Sequence, residues 1–300
     1  NLTGAAIAAG DSVASVDLST TGTITATAGV VTSGAQTYTG TLNAGALTTT
    51  GGAGGTITSN GATPLNAGIT TSGGAEQITG ANTLAAGAGI NTTAGGAAAG
   101  ANIPLAAVDG TQALTLTAGT AGTVTTGALG AGTQLASLDV VSAGGGLTLG
   151  GAIDAAGDVD IGTGGNLGAV VLTGNTDAAN ISVGSGGSVA SLSFGGLTTT
   201  TGGITIGGGG AVGNIDLAGT QTSVGTNLSV AGGTGNITST GRVQIAGTTS
   251  LDTSGNINLN NALNNFGGAV TVQNSAGGGD INVQLRDNAG TITMPAITAA

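Results

Sequence analysis

Three hundred residues with 64 glycines, no cysteine, no histidine, no tryptophan and only two basic side chains, Arg242 and Arg286, exclude most enzymatic chemistry at the outset. Thirteen acidic residues set the formal net charge at −11, and two isolated arginines cannot supply the clustered cations that nucleic-acid binding requires. Without Cys, His or Lys there is no disulfide framework, and no Cys-His, Ser-His-Asp or Ser-Lys nucleophile can be assembled.

Only 5% of the chain is charged, so its solubility rests on Thr, Ser, Asn and exposed backbone. The aspartates stand singly along the sequence and form no acidic tail; their charge keeps neighbouring molecules apart. Thr, Val, Ile and Gly dominate while helix formers other than Ala and Leu are scarce, which predicts an all-β chain of short strands broken at glycine.

In chain order, Asn1 to Gly10 lack an initiator Met and a basic n-region, so any signal peptide is expected to have been cleaved or to lie upstream of this segment. The first internal echo pairs Gly34-Ala35-Gln36-Thr37-Tyr38-Thr39-Gly40 with Gly74-Ala75-Glu76-Gln77-Ile78-Thr79-Gly80, 40 residues on; a degraded third copy begins at Gly110-Thr111-Gln112. The Ala-rich stretch from Leu84 to Val108 is interrupted by Asn91, Thr92, Thr93, Asn102 and Pro104, too often for a membrane span of about 20 apolar residues. Period weakens over 81–108, where a loop or irregularity is expected. Beyond it, strands of alternating character recur at Leu114-Thr115-Leu116, Leu147-Thr148-Leu149, Val159-Asp160-Ile161, Ile204-Thr205-Ile206, Leu228-Ser229-Val230 and Val270-Thr271-Val272.

A short unit of Gly, then Asn or Asp, then alternating residues joins them. It reads Gly157-Asp158-Val159, Gly213-Asn214-Ile215, Gly235-Asn236-Ile237, Gly255-Asn256-Ile257 and Gly279-Asp280-Ile281, the last four beginning 22, 20 and 24 residues apart. Strands this short, repeated about every twenty residues with no helix for a crossover, bury their apolar faces by coiling and stacking each unit on the next. The expectation is one parallel β-helix, a β-solenoid over residues 1–300 with about 20 residues per coil, roughly 15 coils and a length on the order of 70 Å. Gly and Asn at its corners supply left-handed backbone, and Tyr38, Phe194 and Phe266 are the few aromatics of a narrow core. A disordered Gly/Ser/Thr spacer fits the composition but not the recurring branched aliphatics.

Few residues qualify as a site. Asp154, Asp158 and Asp160 form the densest acidic group, with a spacing compatible with calcium or an acid/base pair, but Val159 and Ile161 must face inward and leave Asp158 and Asp160 on a solvated wall. Arg286 beside Asp280 and Asp287 reads as a weak surface ion pair, not the cation of a polysaccharide lyase, and sugar-stacking aromatics are wanting. Gly207–Gly210 is a turn without a phosphate-loop Lys, and Gly277-Gly278-Gly279-Asp280-Ile281 is a single copy of a calcium-type repeat that needs many. Thr23-Ile24-Thr25 and Thr115-Leu116-Thr117 are too scattered for an ice-binding face, and Asn91, Asn180 and Asn227 head sequons that this composition produces by chance. No catalytic, cofactor-binding or metal-binding residue is assigned, and no cofactor.

The run from Asn256 to Val272, with Leu285-Arg286-Asp287-Asn288-Ala289 and the segment Gly34–Gly40, resembles repeats of filamentous-haemagglutinin-like exoproteins, the two-partner-secretion and autotransporter-type giant adhesins of Gram-negative bacteria. That resemblance implies a right-handed parallel β-helix and an internal or terminal piece of a longer shaft, since the family's N-terminal secretion domain finds no match. It implies secretion to the extracellular space or outer cell surface, and a non-catalytic structural role. Expected partners are further copies of the chain, end to end or laterally, or host receptors reached through other regions. A self-assembling filament and, more weakly, a carbohydrate-active β-helix are the alternative readings.

Overall fold

Alternation in the sequence becomes alternation of burial in the computed structural model, which describes residues 2–3, 13–217, 220–274, 279–283 and 292–293. Ile181–Val183, Ile204–Ile206 and Leu47–Thr49 each bury their first and third residues and turn the middle one outward, as a two-residue side-chain period requires. Three-residue strands have no stability alone. Each pairs in parallel with the matching strand of the coils below and above, Ile181–Val183 lying between Val159–Ile161 and Ile204–Ile206. Between parallel neighbours the chain passes through two further strands and their turns, and no α-helix occurs among the described residues.

The result is a β-solenoid of about 12 turns with about 22 residues per turn. The coil is slightly longer, and the coils fewer, than the rounded expectation of about 20 residues and about 15 coils; the glycine-asparagine spacings of 22, 20 and 24 themselves centre on the observed length. The shortest step separates Val30 from Leu47 and the longest separates Ile78 from Leu105. Within that longest coil, Ala88–Asn91 and Ile103–Leu105 keep their register with neighbouring coils while the extra residues form a loop around the 3₁₀ turn Ala94–Gly96.

Three strands per coil make three walls. On the third wall, one interior column runs Val30, Leu47, Ile69, Ile90, Leu116, Val140, Ile161, Val183, Ile206, Val230, Leu251, Val272, each paired with the next one coil along. All are buried in one continuous apolar core. On the first wall the column from Ile103 runs Val124, Leu147, Val170, Leu192, Ile215, Ile237 and Ile257. Burying a Leu, Ile or Val side chain contributes roughly 1.5–3 kcal/mol, so a column of a dozen offsets much of the ordering cost of its strands.

The second wall is less apolar. Its interior column passes from Ile153 through Thr176, Thr198 and Thr222 to Val243, with the threonines as buried as the aliphatics. Some such hydroxyls reach a carbonyl of a nearby turn: Thr200 Oγ1 donates to Gly202 O at 3.1 Å, as Ser239 Oγ on the first wall does to Gly241 O at 2.9 Å. The echo at Gly34 and Gly74 is explained by the first wall, where Gln36 pairs with Ile57 and Ile57 with Glu76, two coils apart in one column. Gly110 stands instead over Leu84 on the second wall, so the degraded third copy does not belong to that column.

Candidate functional site

Corner chemistry links the coils. Asn256 donates its backbone N–H to Asn236 Oδ1 at 2.9 Å, Asn236 donates to Asn214 Oδ1 at 2.9 Å, and Asp280 donates to Asn256 Oδ1 at 2.8 Å. Their carbonyls accept in turn from the residue after each lower Asn: Ile215 N–H reaches Asn236 O and Ile237 N–H reaches Asn256 O, both at 2.8 Å. The Gly-Asn-Ile unit is therefore a rung of an inter-coil ladder. Other corners repeat it, with Asn180 Oδ1 accepting from Gly203 N–H and Asn227 Oδ1 from Thr248 N–H. The sequon residues Asn180 and Asn227 serve this ladder, while Asn91 Oδ1 accepts from Thr93 two residues on.

Glycine precedes these rungs because the backbones touch. A Cβ on Gly255 would lie 2.4 Å from Gly235 O, and one on Gly279 2.2 Å from Gly255 O, closer than a non-bonded carbon approaches an oxygen. The same stacking relates Gly61 to Gly40 and Gly80 to Gly61, with 2.1 Å in each case. Left-handed backbone, expected generally at the corners, is the requirement at fewer positions, such as Gly207 and Gly208, whose φ angles of 87° and 105° turn the chain after Ile206. Gly207–Gly210 is accordingly a turn, and Gly279-Asp280-Ile281 a ladder rung; Gly277 and Gly278 lie outside the described residues, as do Arg286 and Asp287.

The three acidic candidates divide between walls. Asp154 stands on the second wall beneath Asp177. Asp158 and Asp160 flank the buried Val159 on the third wall, outward as the alternation predicts. Asp160 stacks on Asp139 one coil below, and its pKa is raised by partial burial first, then by Asp158 and Asp139. Neutral donors serve the group: Thr163 Oγ1 donates to Asp139 at 2.7 Å, Asn180 Nδ2 to Asp158 at 2.8 Å, and Gln134 Nε2 to Asp154 at 2.6 Å. Among the described residues no group of three or more Asp, Glu, His or Cys could hold a metal ion. Arg242 lies on the second wall three coils along from Asp177, the strands at Leu197–Thr200 and Gln221–Val224 intervening. The Thr-x-Thr segments stay isolated too: Thr115 has Gly89 below and Asp139 above.

One carboxyl is buried in the core among the described residues. Glu76, the single glutamate of the sequence, is 1% exposed, and neither carboxyl oxygen has a hydrogen-bond partner among the described residues. Burial pushes its pKa up to about 8. Gln36, two coils below in the same column, is equally buried but satisfied: Tyr38 OH donates to its Oε1 at 3.0 Å and its Nε2 donates to Thr48 O at 2.8 Å. Sequence reasoning passed over Glu76, although the echo of Gln36-Thr37-Tyr38 in Glu76-Gln77-Ile78 and the strand alternation together place it inward.

Fold and corner chemistry define a β-solenoid repeat protein. Residues 210–273, which hold three of the glycine-asparagine rungs, match the model of a family described as repeats of unknown function, DUF5649. No curated protein and no solved structure matches the chain. No helix among the described residues is long and apolar enough to cross a membrane.

Proposed function

We propose that the chain is a stretch of structural shaft from a secreted bacterial surface exoprotein, an adhesin of the filamentous-haemagglutinin-like or autotransporter type, and that it works mechanically and without catalysis. The observation that supports this most is the unbroken interior column from Val30 to Val272, bonded coil to coil. Load along such a rod is shared by backbone hydrogen bonds at every coil, each worth about 1 kcal/mol net, and by a core that no domain boundary interrupts. The outward residues of the third wall are small hydroxyls over many coils, Ser182, Thr205, Ser229, Ser250 and Thr271, which suits a shaft that keeps a binding region elsewhere at a distance.

Electron microscopy of native material from its source, with immunogold labelling of intact cells, tests this reading. About 12 turns at about 4.8 Å give a rod near 58 Å for this segment. Label on projections from the cell surface, with a denatured chain mass well above 27.2 kDa, is the expected result. Label confined to the cell interior overturns the shaft; long filaments built from chains of low mass replace it with end-to-end self-assembly.

A further inference from the structure

An interior rung occupied by an unpartnered carboxyl has a consequence for how the rod opens. Glu76 sits in its column between Ile57 below and Ile103 above, where the neighbouring rungs are aliphatic or, at Gln36, fully hydrogen-bonded. What differs between the echoed rungs is the residue two positions on. Tyr38 supplies Gln36 with a hydroxyl donor, and Ile78 supplies Glu76 with none.

We propose that Glu76 is a proton-controlled latch in the rod: with its carboxyl neutral the rung closes between Ile57 and Ile103, and loss of the proton to solvent opens these coils while those further along stay closed.

Geometry makes the latch respond to this one proton. The strands packed on Glu76, Ile57–Ser59 and Ile103–Leu105, carry no ionisable side chain, and neither do Thr63–Leu65, Ile69–Thr71, Asn82–Leu84, Ala88–Asn91 or Ala113–Thr117 of its own and adjoining coils. Asp109, on Val108–Asp109, is the one acidic residue nearby, and it points outward to accept from Gly132 and Thr133 N–H. Tyr38, one coil further down, keeps its proton, because burial raises its pKa too. An ionised Glu76 therefore finds no cation inside and can be solvated only if the wall admits water.

Among the described residues the remaining coils hold no buried carboxyl, so opening stays local in a repeat architecture where each coil contacts only its neighbours.

The lone glutamate makes the test direct. In the full chain labelled with ¹³C-glutamate, one side-chain carboxyl resonance reports Glu76, and its titration midpoint is expected far above the ordinary 4.5. Hydrogen exchange on the same chain is expected to show protection at Ile57, Ile78 and Ile103 falling by up to about tenfold per pH unit between pH 5 and 8, relative to Ile181–Val183 in the same sample. Glu76→Gln and Glu76→Leu are expected to flatten that fall. A midpoint near 4.5, or a wild-type exchange profile that tracks the reference strand across this range, overturns the latch, and both readings are made on wild-type protein whether or not a variant folds.

Discussion

Asn236 accepts the backbone N–H of Asn256 on its side-chain oxygen at 2.9 Å, one coil along the rod, and its own N–H is held by Asn214 in the same way. Each asparagine thus fastens the coil above with its side chain and the coil below with its backbone. Asn236→Ala deletes the side-chain link and leaves the Asn256 N–H to water, since this corner is exposed. The expected cost is about 0.5–1.5 kcal/mol, with faster amide exchange at Asn256 and unchanged exchange in the Leu114–Leu116 region. Equal loss of protection at both places would show that the ladder does not act locally.

Gly255 offers a sharper case, because its difficulty is space and not torsion. An alanine methyl there meets Gly235 O at 2.4 Å and must push the two coils apart. Gly255→Ala is expected to destabilise by about 1–3 kcal/mol. Gly54, where an added Cβ meets nothing within 4 Å, is the control, and Gly54→Ala is expected to cost almost nothing by the same denaturant titration.

Alternation and repeat spacing made the solenoid legible: Val159-Asp160-Ile161 and Ile204-Thr205-Ile206 could bury one face only by stacking, and they do stack. Coil length was legible only as a mean, because the Gly-Asn spacings of 22, 20 and 24 centre on the observed coil while the longest one, between Ile78 and Leu105, carries no such unit. The meaning of the corner residues was hidden as well. A glycine required for backbone contact and one required for positive φ look alike in sequence, and only the structure distinguishes Gly255, against Gly235 O, from Gly208, with a φ of 105° and open space around it. Glu76 stayed hidden for a different reason, since a lone charged residue in a short strand is normally assigned to solvent.

Ile161 lies mid-column, fully buried between Val140 and Val183. Ile161→Ala removes most of its side chain from a narrow core that can collapse little, and a loss of about 2–5 kcal/mol is expected. Chemical denaturation followed by circular dichroism measures it. A loss under about 1 kcal/mol would mean that neighbouring coils close the gap.

Asp160 is partly buried, sits beside Asp158 and stacks on Asp139, so its charge is disfavoured in the folded rod. Its folded pKa is raised, so the folded state binds its proton more tightly and stability declines as pH rises through the carboxylate range. Asp160→Asn removes that decline. The gain at pH 7 is expected to stay below about 1 kcal/mol because water screens a partly exposed side chain, to vanish at low pH, and to shrink without vanishing in high salt, which screens the two aspartates but not the burial. Thermal melts at pH 3 and pH 7, with and without 1 M salt, separate this from a packing effect, which would persist in all four conditions.

Glu76 predicts the larger and differently placed dependence. Its pKa is raised from 4.5 to about 8 by burial, so the folded rod holds a proton that the unfolded chain gives up. The associated stability is fully present below about pH 4.5, declines as pH rises from there to about 8, and is constant above. Each tenfold difference in proton affinity corresponds to about 1.4 kcal/mol, so the whole interval amounts to several kcal/mol in the coils around it. Glu76→Leu places an aliphatic rung between the aliphatic Ile57 and Ile103 and should stabilise the rod at pH 8 far more than at pH 4.5. Equal stabilisation at both pH values would assign the effect to packing alone and remove the carboxyl from any account of how this rod responds to pH.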